Sequence, residues 1–263
     1  MHGTGNDFVV LDARKHAVNL SADNVIRLAD RHFGIGCDQL VLLGKSEKAE
    51  AFMTIYNADG SEISTCGNAT RCVSDFLMKE SGKQEATIET KAGIRKGWRA
   101  ANADVTVDMG APMFDWKQVP LSESRNTLHL GLEEGLLADP VALSMGNPHA
   151  IFFVRDMVHI KLDQWGPKLE HHPLFPERAN ISAVQVLSPK RLKMIVWERG
   201  AGLTLACGSG ACAAVVAGVR RELCERKADV ELPGGTLSIE WQKDGAVLMS
   251  GAVNYVFEGE ITL

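Results

Sequence analysis

The chain has 263 residues, 45% hydrophobic and 23% charged, the composition of one large globular domain or two of roughly 130 residues each, which excludes disordered and fibrous classes. Its net charge is −5, and the basic pairs Arg220-Arg221 and Arg226-Lys227 sit among acids, which argues against a nucleic-acid partner. No basic start leads into an apolar run, and the longest apolar stretch, Ala211 to Val219, spans nine residues, so a soluble cytoplasmic chain with no membrane partner is expected.

A chain of this length can bury roughly 70–75% of its extended surface without a disulfide or metal staple. In a reducing compartment its six cysteines therefore read as packing residues, metal ligands or reactive thiols.

In chain order, Phe8-Val-Val-Leu11 is a short apolar run that predicts a strand. Ser21 is a plausible N-cap for a helix with Val25, Ile26, Leu28 and Ala29 on its apolar side. Strands are expected at Gln39-Leu-Val-Leu-Leu43, Phe52-Met-Thr-Ile-Tyr56 and Val105-Thr-Val-Asp-Met109, each bounded by Gly, Asn or Asp. Between the last two, a helix beginning just after Cys66 covers Thr70 to Glu80, with Cys72, Val73, Phe76 and Leu77 on one face, and stops at Ser81-Gly82. Residues Met113 to Ala142 show mixed patterning. Strands follow at Ile151–Val154, Met194–Trp197, Leu237–Trp241 and Val247–Ser250, and Ala211 to Val219 is apolar all round, the mark of a short helix buried on every side.

Short matches recur at one offset of 141 residues: Gly5-Asn6 with Gly146-Asn147, Met53 with Met194, Cys66-Gly67 with Cys207-Gly208, and Gly110-Ala111 with Gly251-Ala252. The common offset points to two halves of one design, 1–112 and 145–263, with a connector and room for extra strands over 113–144. The expected fold class is α+β: two pseudo-symmetric halves, each a curved, mostly antiparallel sheet around a central helix, with the active site in the cleft between them.

The duplication sets Cys66 and Cys207 at the N-termini of two related helices. Such a terminus offers unpaired N–H groups and partial positive charge, which can hold a carboxylate and lower a thiol's pKa toward the working range of an acid–base catalyst. Gly67 and Gly208 permit close approach of a ligand to the backbone. Two bases on opposite faces of one carbon can invert it, one removing a proton while the other delivers one. This chemistry calls for no cofactor, and no lysine motif suggests pyridoxal phosphate.

Plainer readings compete. Cys37, Cys72, Cys212 and Cys224 read as packing residues. A zinc site from Cys66, Cys72, Cys207 and Cys212 would need intervals of six and five residues, wider than usual knuckle spacing, so no metal is expected. A redox pair lacks Cys-x-x-Cys spacing. Glu198-Arg199, after a hydrophobic strand and before Gly200-Ala-Gly202, can grip a carboxylate, or can form a surface ion pair. Asn6, Asn57, Asn147 and Asn180 lie in Gly- or Pro-containing loops and can be turn residues or ligand contacts; the offset pairs Gln39 with Asn180. His149, in Met145-Gly-Asn-Pro-His149, can orient or deprotonate a thiol, or can be structural.

The blocks His2-Gly-Thr-Gly-Asn-Asp-Phe8, Gly34-Ile-Gly-Cys-Asp-Gln39, Asn57-Ala-Asp-Gly-Ser-Glu62, Cys66-Gly-Asn68, Met145-Gly-Asn-Pro-His149, Glu198-Arg-Gly-Ala-Gly202, Ala206-Cys-Gly-Ser-Gly-Ala-Cys212 and Leu232-Pro-Gly-Gly235 stand in order along nearly the whole chain. Together they resemble the diaminopimelate epimerases, cofactor-independent two-thiol amino-acid epimerases. The resemblance implies interconversion of LL- and meso-2,6-diaminopimelate on the bacterial route to lysine and peptidoglycan. It implies Cys66 and Cys207 as catalytic bases, and Gly67, Asn68, Gly208 and Ser209 as substrate contacts at the helix N-termini. Asn6, Gln39, Asn57, Asn147, Asn180 and Arg199 match the remaining substrate contacts, and His149 and Glu198 match residues that assist the thiols.

The only partner implied is the small-molecule substrate, and a homodimer is compatible with the reading. Two alternatives stay open, a racemase of another amino acid on the same frame and a non-catalytic amino-acid- or metal-binding protein. The chain departs from the family pattern at Ala69-Thr70, where Gly-Ala commonly follows Cys-Gly-Asn, and at Leu203 and Leu205, where polar residues are frequent. The residues that usually precede Met-His-Gly as an opening strand are missing, and a trimmed start is expected to weaken the first sheet.

Overall fold

A computed structural model describes every residue except Ala17, Thr65, Thr262 and Leu263. The repeated segment Met53–Cys66 is thus described apart from Thr65, and the C-terminal half as far as Ile261. The chain forms two compact units, one of Met1–Asp108 with the chain from Ser250 onward, the other Met109–Met249.

The first unit opens with β1 (His2–Gly3) and β2 (Asn6–Asp12). Gly3 pairs with Asn6 across a two-residue turn in which Thr4 and Gly5 both have positive φ, 59° and 84°, the geometry of the tight hairpin that suits strand twist. There follow α1 (Ala22–Ala29), β3 (Gln39–Gly44), β4 (Ala51–Asn57), β5 (Glu62–Ile63), α2 (Gly67–Ser81), β6 (Glu85–Thr90), β7 (Gly93–Arg99) and β8 (Val105–Asp108). Ser21 caps α1 as its sequence predicts, its Oγ accepting from the Asn24 N–H at 3.2 Å. The second helix ends where Gly82 takes φ 72°, a left-handed cap that a side chain would strain.

The second unit contains β9 (Glu133–Glu134), β10 (Leu137–Ala138), β11 (Val141–Ser144), β12 (Pro148–Val154), α3 (Leu162–Glu170), β13 (Asn180–Ser188), β14 (Arg191–Glu198), β15 (Gly202–Leu203), α4 (Gly208–Arg220), β16 (Lys227–Leu232) and β17 (Gly235–Trp241). The last strand, β18 (Val247–Gly251), carries the chain out of it. Residues 113–144 supply Val119, Leu121, Leu130, Leu137 and Ala142 to this unit's core, beside Phe152 and Ile181.

The repeat is visible element by element. In the first unit β2 and β3 are parallel with Phe8 opposite Gln39; in the second, β12 and β13 are parallel with His149 opposite Asn180. Leu40 faces Tyr56 across the antiparallel β3–β4 pair as Ile181 faces Trp197 across β13–β14. Parallel joins β4–β6 and β14–β16 interrupt the antiparallel ladders in both units. In each unit the helix that follows a cysteine packs on the strands, α2 on β6 and β7 and α4 on β17 and β12. Every residue of α4 from Gly210 to Gly218 is buried, as the all-apolar run requires, and each of its valines removed from water stabilises the fold by roughly 1.5–3 kcal/mol.

The third helix was not anticipated. Its segment Leu-Asp-Gln-Trp-Gly-Pro-Lys-Leu-Glu carries Gly166 and Pro167, two breakers, inside the helical span. Packing overrides them: a Cβ on Gly166 would lie 2.6 Å from Cγ of Trp197, so only glycine lets β14 sit this close.

Candidate active site

In the first unit the thiol of Cys66 stands at the start of α2. Cys66 has extended backbone, φ −146° and ψ 119°, so its carbonyl already accepts the first helical bonds, from the Thr70 N–H and the Thr70 hydroxyl, both at 2.9 Å. Thr70, one of the departures from the family pattern, thereby braces the turn, and Ala69 is fully buried beside it. The Sγ atom lies 3.8 Å from Oδ1 of Asn6, which also accepts from Nδ2 of Asn68 at 3.2 Å.

Asn6 is fixed in turn by Asp38, whose Oδ2 accepts from its Nδ2 at 3.0 Å. Asp7 and Asp38 share Arg31, which holds the Asp7 carboxyl below the usual range despite its partial burial. Gln39 and Asn57 form their own pair, Nε2 to Oδ1 at 3.0 Å, and Asn57 donates to Ser61 Oγ at 3.1 Å.

The second unit repeats this arrangement with different side chains. Cys207 is the extended residue before α4 and is 4% exposed, its Sγ 3.6 Å from Oγ of Ser209. Ser209 Oγ accepts from Nδ2 of Asn147 at 3.2 Å, and Oδ1 of Asn147 lies 3.0 Å from Nε2 of His149. His149 thus reaches the thiol through Asn147 and Ser209 rather than by a bond of its own. Glu198, at the end of β14, accepts the Thr204 hydroxyl at 2.5 Å and faces the Cys207 thiol. Asn180 accepts from the Arg199 N–H at 2.9 Å and donates to the Pro148 carbonyl at 3.0 Å. The Arg199 side chain donates to the Glu177 carbonyl at 3.1 Å and borders a cavity of about 310 Å³ with Lys117, Gln118, Asn147 and Glu177.

Electrostatics separate Cys207 from the sequence-based expectation of a lowered thiol pKa. Burial pushes it well above the usual value, the Glu198 carboxylate adds to this, and the bonds from Ser209 and the Gly210 N–H offset only part. The helix terminus is outweighed by loss of water and a neighbouring negative charge. His149 is fully buried, and burial, with Arg199 adding its positive charge, lowers its pKa to about 3, so the ring is neutral. The packing cysteines behave as expected of sulfur in a core, with Cys37 raised to about 11 and Cys72 to about 12 by burial.

Residues that positioned these groups without being anticipated include Asp38, Arg31 and Glu170. Glu170 is 2% exposed and accepts from the Trp197 indole and the Gly200 N–H. An acid among Lys168, His171 and His172 reads locally as an exposed charge; only the tertiary contacts reveal its burial.

A family model described as diaminopimelate epimerase matches residues 1–114 and 141–256. The diaminopimelate epimerase of Acidiphilium cryptum is 54% identical over 99% of this chain and 94% of its own length. That of Rhodospirillum centenum is 51% identical over 100% and 91%. Among solved structures, a Bacillus anthracis phenazine biosynthesis protein of the PhzF family superposes with a TM-score of 0.67 at 21% identity, covering 100% of this chain and 95% of that one. A hydroxyproline epimerase from Agrobacterium vitis gives 0.66 at 15% identity, over 95% and 87%. At those identities the structures share the fold.

Proposed function

The chain belongs to the diaminopimelate epimerase family, and from that premise we propose that it interconverts LL- and meso-2,6-diaminopimelate with Cys66 and Cys207 as its two acid–base groups. The observation that carries the assignment of roles is the duplicated turn. Each unit places one cysteine as the last extended residue before a buried helix, with a glycine next and a polar side chain after it, Asn68 in one and Ser209 in the other.

One thiolate removes the α-proton, and the electron pair delocalises onto the substrate carboxylate as an enolate-like charge. The opposite thiol then delivers its own proton to the other face, so the carbon inverts and no proton is lost overall. Backbone N–H groups after each cysteine, at Gly67, Asn68, Gly208 and Ser209, offer the donors that stabilise that charge. No cofactor enters this scheme.

The two thiols are not equivalent. Cys207, held protonated by burial and by Glu198, is the proton donor when Cys66 acts first. In the reverse direction its proton has to be released, and Glu198 with the Ser209–Asn147–His149 chain is the surrounding that adjusts to the change of charge. The amides of Asn6, Gln39, Asn57, Asn147 and Asn180 and the guanidinium of Arg199 recognise the two amino-acid ends, which is what separates this substrate from a smaller amino acid. We assign the reaction to the route to lysine and peptidoglycan, carried out in the cytoplasm. No helix among the described residues is long and apolar enough to cross a membrane.

The test is incubation of the reduced protein with LL-diaminopimelate in deuterated water, followed by NMR and chiral chromatography. Meso product carrying deuterium at the inverted carbon, with unreacted substrate initially unlabelled, is the expected result. Folded protein that neither inverts nor exchanges this substrate would refute the reading and leave a racemase of another amino acid, to be sought with a substrate panel.

A further inference from the structure

The buried carboxylate of Glu170 stands outside the acid–base scheme, and its bonds bracket two residues of the site. Its Oε2 accepts from Trp197 Nε1 at 2.7 Å and its Oε1 from the Gly200 backbone N–H at 2.9 Å, with Arg178 Nη1 3.8 Å from Oε1. Trp197 and Gly200 are the immediate neighbours of Glu198 and Arg199, so one side chain grips the strand before that dipeptide and the turn after it. The geometry points to Glu170 as a positioning residue that fixes Glu198 against the Cys207 thiol and Arg199 toward the substrate.

Three observations support the role. The carboxylate side chain is 3% exposed and sits at the C-terminal end of α3, where a helix disfavours negative charge, so an acid is retained there against both desolvation and the helix dipole. It accepts from the half-buried indole of Trp197 and from the Gly200 backbone N–H through separate oxygens, which a side-chain amide, with one oxygen, cannot reproduce. The equivalent position in the first unit is Ala29, buried among Val25, Leu28 and Tyr56, and there the dipeptide corresponding to Glu198-Arg199 is Asn57-Ala58. The acid occurs in the half that has a charged dipeptide to hold.

The inference rests on the proposed roles of Glu198 and Arg199, and its test reads a signal that turnover does not determine. In Glu170→Gln the amide replaces one acceptor with a donor facing Trp197 or Gly200. Glu198 is released, and the negative charge that holds the Cys207 proton moves away. The measurement is the pH profile of alkylation of Cys207 and Cys66, resolved by peptide mass spectrometry, together with kcat and KM for LL-diaminopimelate.

The expected result is a downward shift of the Cys207 profile by about half a pH unit or more, an unshifted Cys66 profile, and a KM raised about tenfold. In a Glu198→Gln background the same substitution produces no further shift, which separates positioning from general loosening. A folded Glu170→Gln protein with an unshifted Cys207 profile and unchanged KM overturns the inference. Should that variant fail to fold, Trp197→Phe, which removes one donor and keeps the carboxylate, is expected to move both readouts in the same direction, and a folded Trp197→Phe protein that moves neither overturns it. If wild-type protein does not invert diaminopimelate, the thiol profiles still decide the positioning role, while the proposed reaction falls separately.

Discussion

His149 Nε2 lies 3.0 Å from Oδ1 of Asn147, and its ring is fully buried. With the proton on Nε2, the ring donates to Asn147, while Nδ1 is buried with no hydrogen-bond partner among the described residues. The pair therefore sets Asn147 with its amide toward Ser209 and, through it, toward Cys207.

This burial makes the protein sensitive to acid. The folded-state pKa of about 3 lies below the ordinary 6.5, so the unfolded chain binds a proton first as pH falls. The contribution to stability is complete above pH 6.5 and is lost down to about pH 3. Urea unfolding at pH 7 and pH 4.5 is expected to differ by roughly 2–3 kcal/mol through this residue. His149→Phe, which installs the residue type found at the equivalent Phe8, should flatten the difference by that amount.

Cys66→Ala and Cys207→Ala should each lower the inversion rate by roughly two to four orders of magnitude, while Cys224→Ala, remote in role and half-buried beside Gly218, keeps it. Chiral chromatography of product formed by folded variants checks this. Full activity in either of the first two would remove that cysteine from the scheme.

Glu198→Gln takes away a carboxylate that raises the Cys207 pKa, so the thiolate forms at lower pH. Alkylation of Cys207 between pH 8 and 10 should be faster than in the wild type, with the gain shrinking as pH rises. An unchanged profile would show that burial alone governs this thiol.

Arg199→Lys retains the charge but not the two-pronged donor geometry or the bond to the Glu177 carbonyl. A KM for LL-diaminopimelate raised about tenfold or more, with a smaller change in kcat, is the expected outcome of steady-state kinetics.

Gly166→Ala puts a methyl group 2.6 Å from Trp197 Cγ, which forces α3 away from β14. A loss of about 1–3 kcal/mol in chemical denaturation is expected. Because Trp197 also bonds Glu170, activity should fall with it.

The sequence by itself determined the duplication, because the 141-residue offset preserves Gly-Asn and Cys-Gly pairs whose local backbone needs are independent of distant contacts. It likewise determined α1 through the Ser21 cap, α4 through an uninterrupted apolar run, and the two cysteines as equivalent helix starts. Tertiary structure decided what depends on neighbours far along the chain. Helix α3 forms across Gly166-Pro167 because Trp197 packs on the glycine, and Glu170 becomes a clamp because Trp197 and Gly200 are folded onto it. The protonation of Cys207 belongs to the same class: helix-terminus position favours the thiolate, but burial and Glu198 favour the thiol, and only the packed structure fixes which is larger.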